Sequence, residues 1–104
     1  MGRTRREKPA RLGEKLLQIR LSLGLSQSEI LRHLGLEDRL NRDDVSKYER
    51  GVREPSLSVL LAYAEIANVY IEALIKDSVD LPAELPSRKK HEGVARRVPD
   101  RRKR

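Results

Sequence analysis

Helix-stopping and helix-starting residues fall at short, regular intervals through the middle of this chain, and they limit it to short helices. Gly24, Gly35, Gly51 and Asn68 each sit where a left-handed turn would end a helix, and Ser26, Asn41 and Ser56 each open the next segment with a side-chain cap. Ser26 has Glu29 three residues on, and Asn41 has Asp44. Each pair matches a capping box, in which two side chains satisfy backbone N–H groups that a helix start leaves without partners. The apolar residues between these marks recur at helical spacing. Leu12, Leu16, Ile19 and Leu23 predict a first helix. Ile30, Leu31 and Leu34 predict a second, and Val45 and Tyr48 the inner face of a third, over 42–50. Leu57, Leu60, Leu61 and Ala64 predict a fourth, ended by Asn68, and Ile71, Leu74 and Ile75 a fifth over about 70–76. The expected fold is an all-α, compact five-helix domain.

Composition narrows what such a domain can do. Phe, Trp and Cys are absent, so the core is aliphatic with Tyr48 and Tyr63 as its aromatic members, and thiolate metal sites and disulfides are excluded. No apolar run approaches the roughly 20 residues that span a bilayer. The N-terminus lacks the apolar stretch of a secretory signal, which agrees with a cytoplasmic protein. His33 lies on a short helix beside no acid–base partner and His91 in a basic stretch. With no phosphate loop, nucleophile motif or metal-ligand spacing, the residues predict no enzyme, no metal and no cofactor.

The formal net charge is +7, but it is unevenly placed. Residues 1–10 carry four basic groups and one acidic, and 86–104 carry nine and two. Residues 11–85 carry ten and thirteen, a mild negative excess. Four stretches follow: a disordered basic arm over 1–10, the helical domain over 11–76, an extended strap over 77–86 with Leu81 and Leu85, and a disordered basic tail over 87–104. The tails read either as arms adding salt-dependent affinity for nucleic acid or as solubilising segments.

Two helices joined by a brief turn form a helix-turn-helix unit. The stretch Leu23-Gly24-Leu25-Ser26-Gln27-Ser28-Glu29-Ile30 resembles the phage-repressor-like helix-turn-helix family, of the Cro, lambda-repressor and XRE type. So does Val45-Ser46-Lys47-Tyr48-Glu49-Arg50-Gly51 with Arg53, Pro55 and Ser56, and the resemblance runs on through Leu60, Leu61 and Ala64 to Val69, Leu74 and Ile75. It implies a lambda-repressor-like domain that binds double-stranded DNA as a homodimer, a transcriptional regulator found on the nucleoid. Gln27 matches a position that holds the DNA backbone. Arg42, Asp43, Ser46 and Lys47 match positions facing the major groove, and Arg50 and Arg53 match a loop touching phosphate. Arg42 and Lys47 suit guanine, while Asp43 suits either a cytosine amino group or the helix N-terminus itself. Arg20 and Glu49 match a structural salt bridge.

The chain departs from that pattern twice. The connection over 36–40 is about four residues longer than the usual turn, which re-aims the third helix or brings Arg39 to the DNA backbone. Leu31 stands where a small Ala is usual and is expected to spread the first two helices of the motif. Two other readings remain: an antitoxin-like module that binds a toxin-like protein as well as its own operator, and an RNA-binding accessory protein driven by the tails. Dimerisation would fall to the fifth helix and the strap.

Overall fold

The computed structural model describes residues 9–86. The arm expected over 1–10, apart from Pro9 and Ala10, and the tail expected over 87–104 lie outside the described residues. Five helices follow in order, and no strand occurs among the described residues: α1 (Leu12–Ser22), α2 (Gln27–Leu34), α3 (Arg42–Glu49), α4 (Leu57–Ala67) and α5 (Glu72–Ile75). None of them is long and apolar enough to cross a membrane.

The capping residues do what their chemistry predicts. The Ser26 Oγ accepts from the Glu29 N–H at 3.0 Å, and the Glu29 carboxylate accepts from the Ser26 N–H at 2.8 Å. These bonds to Ser26 hold the Glu29 carboxyl below its usual pKa. The Ser26 and Asn41 capping boxes both close, and Ser56 caps α4 through the Val59 N–H. Asn68 ends α4 at φ 63°, a left-handed conformation that Asn tolerates.

The core is a single cluster. Leu12, Leu16 and Ile19 of α1 meet Ile30, Leu31 and Leu34 of α2, Val45 and Tyr48 of α3, Leu60, Tyr63, Ala64 and Ala67 of α4, and Leu74 of α5. Helix α1 lies against α3, α4 and α5, and α2 against α3 and α4. Tyr63 is wholly buried, and its hydroxyl has no hydrogen-bond partner among the described residues.

Several apolar residues face elsewhere than their spacing predicts. Leu23 is exposed because α1 stops at Ser22, one residue before the expected stripe is complete. In α4, Leu57 and Leu61 are 72% and 49% exposed, and the buried set is Val59, Leu60, Tyr63, Ala64 and Ala67. Helix α4 is apolar nearly all round, so two overlapping stripes fit the same segment, and packing chose the one that buries the Tyr63 ring. Helix α5 is a single turn, shorter than expected; it buries Leu74 but leaves Ile75 exposed. The long connection is not a purely polar loop. Leu36 is buried, and its carbonyl accepts from the N–H groups of Arg39 and Leu40, both at 2.9 Å, closing a tight turn.

After α5 the chain returns to α1. The Asp77 carboxylate accepts from the backbone N–H groups of Ala10 and Arg11, each at 3.0 Å, and so caps α1 from the far end of the domain. These two bonds hold the Asp77 carboxyl below its usual pKa. The Arg11 guanidinium meets the Asp77 carbonyl and the Asp80 carboxylate, both at 2.8 Å. Leu81 is buried, and the Gln18 amide donates to the Pro82 carbonyl.

One close approach sets the distance between α1 and α3. A Cβ on Gly13 would lie 2.7 Å from the Glu49 carbonyl oxygen and 2.9 Å from that of Tyr48. Both are backbone atoms, which cannot rotate away. In an exposed helix Gly→Ala is stabilising by up to about 1 kcal/mol. Here Gly13→Ala is expected to be destabilising instead, since overpacking of this kind costs about 1–3 kcal/mol. Urea unfolding measures it, and a net gain in stability would show that α1 and α3 are not in contact at this point.

Candidate nucleic-acid interface

Helix α3 presents its polar side because its two ends are fixed and its apolar side is anchored. At the N-terminus the Asn41 Oδ1 accepts from the Asp44 N–H at 3.0 Å, and the Asp44 Oδ2 accepts from the Asn41 N–H at 2.9 Å. The other Asp44 oxygen accepts from the Arg53 guanidinium at 2.8 Å. Val45 and Tyr48 bury the opposite side. At the C-terminus, Gly51 adopts φ 75°, and the Lys47 carbonyl accepts from the N–H groups of Val52 and Arg53. The loop after α3 is thereby folded back onto the helix.

Arg42, Asp43 and Arg50 are left exposed, and Ser46 and Lys47 half-exposed. Residues three and four apart lie on one helical face, so 42, 43, 46, 47 and 50 form a continuous polar surface. Within it the Lys47 ammonium pairs with the Asp43 carboxylate at 3.2 Å, and the Arg50 Nε donates to the Ser46 Oγ at 3.1 Å. Arg42 and Arg39 make no side-chain ion pair among the described residues, and both are exposed. Arg39 stands on the tight turn, across a cleft from Arg53 and Ser58.

The inner end of α3 is held by a network about Glu49. The Arg20 Nε and Nη2 donate to the two Glu49 oxygens at 2.7 and 3.1 Å, a two-pronged pair. The same guanidinium donates to the Leu25 carbonyl at 3.0 Å, tying in the turn between α1 and α2. Its bonds to Glu49 raise the Arg20 pKa above the ordinary value despite the cost of burial. Gln27 joins this network: its amide Nε2 donates to Glu49 at 3.1 Å. Sequence reasoning sends that amide outward to DNA, whereas here it links the first residue of α2 to the last residue of α3.

Sequence reasoning did not anticipate the bond from Arg53 to Asp44. Residues nine apart, with a helix end between them, share no periodic relation, so no sequence pattern signals it.

A helix-turn-helix family model matches residues 16–74, more than half of the chain. The chain belongs to this helix-turn-helix family. The matched span begins inside α1, takes in the tight turn over 36–40, and ends in α5. Among solved structures, this helix-turn-helix protein is similar to the P22 c2 repressor protein, crystallised in complex with synthetic operator 9T in the presence of Tl+. The TM-score is 0.55 at 24% identity, with 64% of this chain and 94% of that chain covered. That likeness concerns the fold. No curated protein matches the chain. The phage-repressor-like fold implied by the resemblance is therefore the fold this chain adopts.

Proposed function

We propose that this helix-turn-helix protein binds duplex DNA sequence-specifically, with α3 in the major groove, and acts as a homodimeric transcriptional repressor. The observation that carries the reading is the placement of Arg42, Asp43, Ser46, Lys47 and Arg50 on the outward face of a helix fixed at both ends. A helix held in this way can enter a groove without losing its own order on binding. The fold shared with the P22 c2 repressor protein, whose structure contains an operator, supports it.

In this reading Arg42 and Lys47 donate to guanine, and Arg39, Arg50 and Arg53 reach phosphates on either side. Arg53 exchanges Asp44 for DNA, while Lys47 keeps Asp43 and turns another proton to the base. The Arg53 side chain is exposed, and ion pairs at the surface are worth only about 0–1 kcal/mol, so the exchange is easily made. Gln27 acts from beneath, holding the end of α3, and exchanges Glu49 for a phosphate when DNA is present. The basic segments 1–10 and 87–104 flank the helical domain as auxiliary arms.

A binding titration with duplexes selected from a random pool tests this. Replacing Arg42 and Lys47 together with Ala is expected to cost roughly 1–3 kcal/mol for each lost base contact and to relax sequence preference. Deleting 87–104 is expected to weaken binding evenly across sequences and to flatten its salt dependence. The reading fails if the deletion abolishes binding while the double substitution leaves the sequence preference intact.

A further inference from the structure

Helix α3 carries three acids, and two of them are occupied by the fold. Asp44 accepts from the Asn41 N–H and from Arg53, and Glu49 accepts from Arg20 and Gln27. Asp43 is different. Its side chain is 65% exposed on the outward face, and among the described residues it has one partner, the Lys47 ammonium one turn along at 3.2 Å. A bare carboxylate on a surface meant for a polyanion would be repelled by it. Paired with Lys47 it is neutralised, and both groups keep bonding capacity. The carboxylate can accept further hydrogen bonds, and the ammonium has two more protons to donate.

We propose that Asp43 and Lys47 form one reading element for a cytosine–guanine pair, so that each half-site bound by this protein carries such a pair beneath the middle of α3. The inference rests on the major-groove reading above. The pair sets an acceptor and a donor side by side, and the cytosine–guanine edge sets the cytosine N4 amino group beside the guanine O6 and N7 acceptors. Asp43 accepts from the first and Lys47 donates to the second. An adenine–thymine edge also offers a donor beside an acceptor, but there the thymine methyl flanks O4. That methyl would strip water from a charged pair and return no hydrogen bond. Arg42, one residue before, remains available for a neighbouring guanine.

The test is to enrich duplexes from a random pool with the full chain and with its Asp43→Ala and Asp43→Asn variants. The native protein is expected to favour a cytosine–guanine pair at one position of each half-site, roughly tenfold or more over the other pairs. Asp43→Ala is expected to erase preference at that position and leave the others unchanged. Asp43→Asn is expected to move it toward adenine, whose N6 and N7 suit an amide. Among the described residues the Asp43 side chain bonds only to Lys47, so both variants are expected to fold, which circular dichroism checks. If Asp43→Ala keeps every preference and binds all sequences more tightly, the acid is only repulsive and the inference is overturned, while the major-groove reading stands. If the native protein enriches no duplex, that reading falls and this inference with it.

Discussion

Replacing Arg20 with Leu is expected to destabilise the protein by about 3–5 kcal/mol, because it leaves the Glu49 carboxylate without a cation in a site where it cannot be solvated. The Glu49 side chain is 5% exposed and that of Arg20 15%, so both charges have given up most of their water. The attraction between them offsets that loss only while both are present. Glu49→Leu should cost a similar amount, since it strands the guanidinium and frees the Gln27 amide. The double variant, Arg20→Leu with Glu49→Leu, removes both charges and replaces them with apolar volume. It should be more stable than either single variant. For a domain of this size each kcal/mol moves the melting temperature by about 4–8 °C, so thermal unfolding resolves the three cases. If the double variant loses the sum of the two single losses, the groups act independently and the pair is not what joins α1 to α3. The expectation reaches function as well, since Glu49 is where α3 meets both α1 and α2. If α3 reads DNA as proposed, a single variant that still folds should bind less selectively, while the double variant should recover stability before selectivity.

The parts of this fold legible in the sequence are those governed by local rules. Ser26 with Glu29, and Asn41 with Asp44, fix where α2 and α3 begin from four residues each, and the bonds form between the same residues. The polar face of α3 follows from them, because Val45 and Tyr48 leave only one way for the helix to lie. Helix α4 marks the limit of pattern reading. In Leu57-Ser58-Val59-Leu60-Leu61-Ala62-Tyr63-Ala64 an apolar residue is available on almost every side, so the buried face is decided by what α1 and α2 offer. Gly13 illustrates another limit. Within α1 it reads as a weak helix former, and its reason for being Gly lies 36 residues away at Glu49. Their positions in the motif give Gln27 and Arg53 outward roles. Their partners, Glu49 and Asp44, come from elements whose relative placement only the folded chain defines.

Lys15 had a sequence signal that is easily passed over: it occupies the third position after Leu12, on the stripe formed by Leu12, Leu16 and Ile19, and is buried with them. Its side chain is 0% exposed. The ammonium donates to the carbonyl oxygens of Ala73 at 2.9 Å, Lys76 at 2.8 Å and Val79 at 2.6 Å, so each of its three protons has an acceptor. Helix α5 is one turn long and cannot satisfy its last carbonyls internally, and Lys15 does so from outside. Burial, with the nearby Arg11 charge, pushes the Lys15 pKa below its ordinary value, against the pull of Asp77, Asp80 and Glu14. Lys15→Met keeps the volume of the side chain and removes the three donors; the Lys76 carbonyl keeps the Val79 N–H, while those of Ala73 and Val79 lose the Lys15 donor in a part-buried site. The expected cost is about 2 kcal/mol, at roughly 1 kcal/mol or more for each of these two groups. Lys15→Arg tests whether charge alone suffices. A planar guanidinium sends its donors out in a fixed fork and is bulkier, so this variant should also lose stability although the charge is kept. The loss should begin locally, because the three carbonyls belong to α5 and the segment leading to Leu81. In Lys15→Met, amide exchange should quicken first at Lys76 and Val79, whose N–H groups bond within this segment, and later in α2 and α3. Urea unfolding within 1 kcal/mol of the native protein, or uniform quickening of exchange across all five helices, would show that Lys15 does not hold the end of the chain against α1.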